Sequence, residues 1–395
     1  MTEPQQPTEE APFVIAPAKD DEDDPIIWRR VGTTMVAAAA AAGSSQPTTA
    51  NSAAGTATAP TGPSARRYHT AVLHRRKMVV FGGSKASTEM LNDLYTLNLD
   101  TLEWTQVEAS GTVPTPRGGH SAVVHSGDGK TRMLVFGGIS SSKQALHDMY
   151  SLDLDSFVWS AVPTTAENWP GPRYQHAVAA NDTHMFVHSG AIDLKKYQTD
   201  LWQFEFASNT WSPISASNPP EHRAGHFAFL HGLELFIFGG HTADGGFTYL
   251  SDLHRLDLST ATWTPLSTQG KIPFTARPVP CITIRDDHVY VFGGYDGATK
   301  MPQGDLLTLS LKDFTWKAHE LWLDMSQHLR MAAVGSKGTL PTPRYGHAAV
   351  FDKDTDTITV HAGSGSMYLA DVIQIVLPEL SQGEDESAAD REPQR

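Results

Sequence analysis

Cysteine is nearly absent from this chain: 395 residues contain one, Cys281. A lone thiol cannot staple a small secreted scaffold, so a disulfide framework is excluded and a reducing, cytoplasmic location is the expectation. Long apolar runs are missing as well. The stretch "MVAAAAAAG" from Met35 falls far short of the roughly 20 residues needed to span a bilayer. The first residues are acidic and polar rather than basic and then apolar, so neither a secretory leader nor membrane insertion is expected. Basic residues are in deficit, 30 against 44 acidic, for a net charge of −14. Residues 1–30 hold −5 of this and residues 379–395 hold −4, so the body of the chain is nearly balanced. A nucleic-acid partner calls for the opposite sign and is not expected. The acidic ends read as solvated and disordered.

What the sequence has instead is repetition. "MVVFGG", "MLVFGG", "MFVHSG", "LFIFGG", "VYVFGG" and "ITVHAG" end at Gly83, Gly138, Gly190, Gly240, Gly294 and Gly363. An arginine precedes each: Arg66, Arg117, Arg173, Arg223, Arg277 and Arg344. Three residues after five of these comes a histidine (His69, His120, His176, His226, His347), while the fifth copy has Pro280. Downstream, Asp93, Asp148, Asp200, Asp252, Asp305 and Asp371 each head an alternating apolar run. Eleven residues beyond the first five stand Trp104, Trp159, Trp211, Trp263 and Trp316.

Each unit therefore reads as four short strands, because apolar residues alternate with a period of two between Gly, Asn, Asp and Pro turns. One four-stranded sheet cannot bury both faces, but six arranged radially can, which makes the fold class all-β and the architecture a six-bladed β-propeller over residues 64–377. The sixth unit lacks its tryptophan strand. "WRRV" at Trp28 matches "WTQV" at Trp104 and "WSAV" at Trp159, so residues 25–32 are expected to supply the missing strand and close the ring. That leaves 1–24 as a disordered acidic leader, 33–63 as a flexible Ala/Ser/Thr/Pro linker and 378–395 as a disordered acidic tail. The interval from tryptophan to arginine is 12 to 14 residues in the earlier units but 28 from Trp316 to Arg344. Apolar residues three to four apart there (Ala318, Leu321, Met325, Leu329) predict a short helical insertion over about 317–334, with Trp322 at its edge as a docking element.

These residues resemble the kelch-repeat family, whose blades carry the diglycine and a spaced tryptophan. The Arg-x-x-His form is similar to propeller-only kelch proteins of the Rab effector, tip-elongation and host-cell-factor types. The resemblance implies a protein partner, possibly from trafficking, cytoskeletal or signalling machinery, and a monomeric propeller. Some kelch propellers are enzymes. Copper radical oxidases need a cysteine crosslinked to tyrosine, whereas Cys281 opens the inner strand "CITIRD" as a small hydrophobe. Glu320, Asp324 and His328 have the spacing by which specifier proteins resemble a non-haem iron site, so a metal-dependent kelch enzyme is the alternative function. On a straight helix these three ligands would span about 12 Å, too far to share one ion. No catalytic residue, metal or cofactor is assigned.

A residue repeated in every blade solves a packing problem; a binding site is unique. The recurring histidines and tryptophans are therefore read as structural, and each arginine is expected to pair with the aspartate of its own blade on one rim. The loops following the glycines vary on that same rim. They present Lys195, Lys196, Tyr197, His241, Phe247, Tyr249, Tyr295, Met301, Met367 and Tyr368 as candidate binding residues of a non-catalytic interaction or scaffold module.

Overall fold

The computed structural model describes residues 26–36, 62–86, 88–163, 169–243, 247–270, 281–323 and 340–378. Six antiparallel sheets form six blades of a β-propeller. In the first, Thr70–His74, Lys77–Ser84, Met90–Asn98 and Glu103–Val107 run from the centre outward. The last blade closes as expected: Ile26–Val31 pairs antiparallel with Tyr368–Val376, setting Trp28 opposite Ile375. Ile26, Trp28 and Val31 turn inward and are buried, and Arg29 donates two hydrogen bonds to Gln374 at 2.9 and 2.7 Å. Joining the two ends of the chain in one sheet leaves the ring no open strand edge between first and last blades.

The core consists of clusters lying between adjacent blades. Val72, Phe81 and Leu94 of the first blade, for example, pack against Met133, Leu152 and Trp159 of the second. Each tryptophan meets the residue before the diglycine of the preceding blade: Phe81–Trp159 at 4.9 Å, Phe136–Trp211 at 5.1 Å, Phe238–Trp316 at 5.0 Å, and across the ring closure His361–Trp104 at 4.9 Å. The recurring histidines also serve neighbours. His120 and His176 bond Thr70 and Ser121 of the preceding blade at 2.9 and 2.8 Å, while their rings meet Phe81 and Phe136 edge-on.

The second glycine of each pair is fixed by steric exclusion. Gly83, Gly138, Gly190, Gly240 and Gly363 have φ between 90° and 106°, and a Cβ there would lie 2.7–2.9 Å from the Cβ of the same blade's histidine. No L side chain fits that backbone or that space.

Two expectations need correction. The described part of the expected helix, from Lys317, is extended: Thr315–His319 is the outer strand of the fifth blade, and Leu321–Leu323 pairs parallel with Ile26–Trp28. The spacing of Ala318 and Leu321 fits a helix, but Leu321 and Leu323 also fit a strand of period two, and burial of Leu321 against the sixth blade decides between them. Asp324 and His328 lie outside the described residues, as does the rest of that segment. The second correction concerns the linker, whose opening Thr34–Val36 forms a strand parallel to Glu103–Thr105 of the first blade. Both departures belong to one pattern. After its outer strand the chain runs along the outer strand of the next blade, as Ser110–Gly111 does beside Val158–Trp159 and Gln269–Gly270 beside Thr315–Trp316.

Candidate functional site

The rim that carries the diglycine turns is built by the arginines. The Arg117 guanidinium is fully buried and grips Asp148 through two parallel bonds of 2.7 and 3.0 Å. It also donates to the carbonyl oxygens of Gly137 and Thr115, both at 3.0 Å. The same fork joins Arg66 to Asp93, Arg173 to Asp200, Arg223 to Asp252 and Arg344 to Asp371, with bonds of 2.6–3.0 Å. Arg277 lies outside the described residues. Planar bidentate pairing backed by carbonyl acceptors is what allows a guanidinium to be buried. Each fork thus ties the entry of the inner strand, the diglycine turn and the entry of the third strand into one rigid corner.

These corners carry loops that converge on a bowl of about 360 Å³ at the mouth of the central channel. Tyr197, His241, Phe247, Tyr249 and Tyr295, all singled out from the sequence, line it. Tyr68, Tyr174, Gln175 and Tyr345 line it too and were missed, as were Asp193 and Leu194. The rings form a continuous arc. Tyr197 and His241 lie 6.1 Å apart, His241 and Tyr249 6.3 Å, Tyr249 and Tyr295 6.1 Å, Tyr295 and Tyr345 5.5 Å, and Tyr345 and Tyr68 6.2 Å. Most pairs are edge-on or tilted, the arrangements that aromatic quadrupoles favour.

Of the remaining sequence candidates, Met301 and Met367 stand on the surrounding rim, 59% and 68% exposed, in company with Leu194 at 73%. Lys195 and Lys196 point to solvent from a turn whose backbone amides donate to the Asp193 carboxylate at 2.8 and 3.0 Å. Tyr368 does not line the bowl. Its ring lies 5.0 Å from the Arg67 guanidinium, which also sits over Tyr68 at 5.0 Å and Tyr345 at 5.6 Å and donates to the Tyr345 hydroxyl at 2.5 Å. Arg67 thereby joins the first and sixth blades through three tyrosines.

Burial pushes the Tyr68 hydroxyl up to about 12 and lowers His241 to about 4, so both are uncharged at neutral pH. Burial also raises Tyr174 and Tyr249. Among the described residues no group of three His, Cys, Asp or Glu side chains is placed to hold a metal ion, and no helix is long and apolar enough to cross a membrane.

Four of the missed residues were hidden inside the repeat motif. Tyr68, Tyr174, Gln175 and Tyr345 occupy the variable positions of Arg-x-x-His, "RRYH", "RYQH" and "RYGH". Those positions differ from blade to blade, which is the mark of a site, but they stand between two residues that recur for packing.

Comparison with known proteins bears on this architecture. The family model described as the KLHDC2/KLHL20/DRC7 Kelch-repeats domain matches residues 48–168 and 128–321. Bovine Kelch domain-containing protein 3 is 30% identical over 64% of this chain and 67% of its own length. Kelch domain-containing protein 10 of Xenopus tropicalis is 26% identical over 80% of this chain and 77% of its own length. Human Host cell factor 2 is 26% identical over 73% of this chain, but only 38% of that protein's length is covered. With the family model spanning most of the chain and the blades built as the repeat requires, the protein belongs to the kelch-repeat propeller family.

Proposed function

We propose that this protein is a non-catalytic interaction module that holds a segment of a protein partner in the tyrosine-lined bowl, with the exposed loops of the same rim completing the contact. The observation that carries the reading is convergence: unique loops of separate blades send aromatic side chains to one concave surface, ringed by exposed Leu194, Phe247, Met301 and Met367. Tyrosine-rich surfaces with an apolar rim are what protein interfaces concentrate, because such side chains bury much area at little entropic cost. The Tyr68 phenol and the His241 imidazole are held neutral, suited to packing and hydrogen bonding rather than to proton transfer near pH 7. Likeness to Kelch domain-containing proteins 3 and 10 over 67% and 77% of their own length supports an interaction role at the level of the family.

The test is affinity capture with wild-type protein and with the double variant Lys195→Glu/Tyr197→Ala, using Arg75→Ala on the opposite rim as control. Partners held by the bowl are retained by the control and lost from the double variant at equal amounts of folded bait. Identical retention by both variants rules the bowl out.

A further inference from the structure

The second variable position of the Arg-x-x-His segment adopts a left-handed backbone in every described blade. The φ angles are 57° at Tyr68, 64° at Gly119, 52° at Gln175, 67° at Gly225 and 63° at Gly346. The conformation is imposed by the ring. The amide of Tyr68 donates to Gly346 O at 2.7 Å, that of Gly119 to Tyr68 O, that of Gln175 to Gly119 O and that of Gly225 to Gln175 O, each at 2.8 Å, so the bonds run blade to blade around the channel. Glycine takes this backbone without strain, and three blades use it. Tyr68 and Gln175 do not, although a left-handed side-chain residue is disfavoured. Such an outlier points to a use for the side chain.

Both side chains face the channel mouth. The Tyr68 ring lies over Gly346, where a Cβ would stand 3.1 Å from its Cδ1, and Gln175 Cγ lies 3.4 Å from the Cβ position of Gly119. The Tyr68 and Gln175 side chains both line the bowl. They form its floor.

The floor offers a phenol and a carboxamide, both uncharged donors and acceptors. Among the described lining residues the one carboxylic side chain is Asp193, which is exposed, and none is a lysine or an arginine. The Arg67 guanidinium stands behind Tyr68 and Tyr345 and does not line the bowl, so neither a ligand cation nor a ligand anion would touch an opposite charge at the floor. A ligand anion would bring its charge into a wall of rings. Burying a charge without a partner is costly, so a neutral group fits best. Rings set 5.5–6.2 Å apart at 35° to 70° form the ridged aromatic walls against which the flat rings of an extended proline segment pack.

Resting on the bowl reading above, we propose that Tyr68 and Gln175 are specificity-determining residues that hydrogen-bond the backbone of an uncharged, proline-bearing extended segment of the protein partner. The test uses the full chain, its variants Tyr68→Phe and Gln175→Gly, and fluorescent decapeptides with acetylated and amidated ends in three sets: proline-rich uncharged, Lys/Arg-rich and Asp/Glu-rich. A fourth set repeats the proline-rich peptides with a free carboxyl terminus. The blocked proline-rich set should bind most tightly, and each variant should weaken it by about tenfold, the size of one lost hydrogen bond. The melting temperature should stay within about 3 °C of wild type, since Phe keeps the ring and Gly removes the left-handed strain. Loss of more than about 5 °C in either variant would make the pair a structural plug and overturn the proposal. So would preference for a charged set or for the free carboxylate, no binding at all, or proline-rich binding indifferent to both variants. In the last case, dependence on Tyr197→Ala would leave the bowl reading standing while this inference falls.

Discussion

Seven histidines, His69, His120, His176, His188, His226, His347 and His361, are buried at blade junctions and held neutral. Acidification is therefore the perturbation this fold should answer most directly. Burial, reinforced chiefly by nearby arginines and by other histidines, pushes His120, His188 and His347 down to about 3 and the others well below the usual imidazole range. In the unfolded chain each takes up a proton near pH 6.5. The folded state binds fewer protons below that pH, so stability is fully present above about 6.5 and is lost as the pH falls toward the folded pKa. One unit down, at pH 5.5, each histidine costs about 1.4 kcal/mol, and seven together about 10 kcal/mol. That equals the stability of an ordinary domain, about 5–15 kcal/mol. Carboxylates with depressed pKa, such as Asp153 at about 2, weaken the fold in the same direction but only below about pH 4.

Urea unfolding followed by tryptophan fluorescence at pH 7.5, 6.5 and 5.5 measures this. Unfolding free energy should fall progressively more steeply with acidification, and the cooperative transition should disappear between about pH 5 and 6. The variant His188→Phe restores the residue that stands before the diglycine as Phe81, Phe136, Phe238 and Phe292 in other blades. It should lower the loss between pH 7.5 and 5.5 by about 1.4 kcal/mol, one proton's worth. A wild-type loss below about 2 kcal/mol over that interval would refute the premise that these histidines fold neutral.

Two further predictions concern the skeleton. Trp28→Ala removes the anchor of the closing strand from the cluster it shares with Phe292, Leu306 and Ile375, and should cost about 3–5 kcal/mol in the same urea assay at pH 7.5; a cost under 1 kcal/mol would mean that closure does not hold the ring. Asp148→Asn leaves the buried Arg117 cation with one neutral acceptor in place of a carboxylate. Because Asp148 is 37% exposed, the penalty for breaking a buried pair is moderated by solvent to about 2 kcal/mol, and an unchanged unfolding midpoint would show that the fork contributes nothing.

Much of the fold was legible because it is written several times. An arginine, a glycine, an aspartate and a tryptophan recurring in the same order in successive units have one shared explanation, and the fork of Arg117 and the exclusion at Gly138 supply it. Trp28 was legible for the complementary reason that the sixth unit visibly lacks its own. Short parallel pieces such as Thr34–Val36 carry no period to read; a three-residue strand becomes one only because its neighbour presents an edge. The bowl was half legible. Tyr249 and Tyr295 follow the glycines in loops that announce themselves by varying, whereas Tyr68 and Gln175 sit where recurrence on both sides suggested packing alone.

Departures from the repeat carry more information than the consensus does. At three of the four blades that keep the first glycine of the pair, at Gly82, Gly137 and Gly293, its Cβ position lies only 2.8–3.1 Å from Cε1 of the next blade's histidine. The third and sixth blades have Ser189 and Ala362 there, still left-handed at 53° and 59°. In those same two blades the preceding phenylalanine is replaced, by His188 and His361. Each imidazole hydrogen-bonds the next blade's histidine, His188 to His226 at 2.9 Å and His361 to His69 at 3.2 Å. A junction made by a phenylalanine edge and a bare glycine is exchanged as a unit for one made by an imidazole pair and a small side chain. The first of these pairs lies where the third blade meets the fourth, and the second where the sixth blade meets the first. A proton on each ring of such a pair would set two cations side by side, so the acid sensitivity of the ring should concentrate at these two junctions.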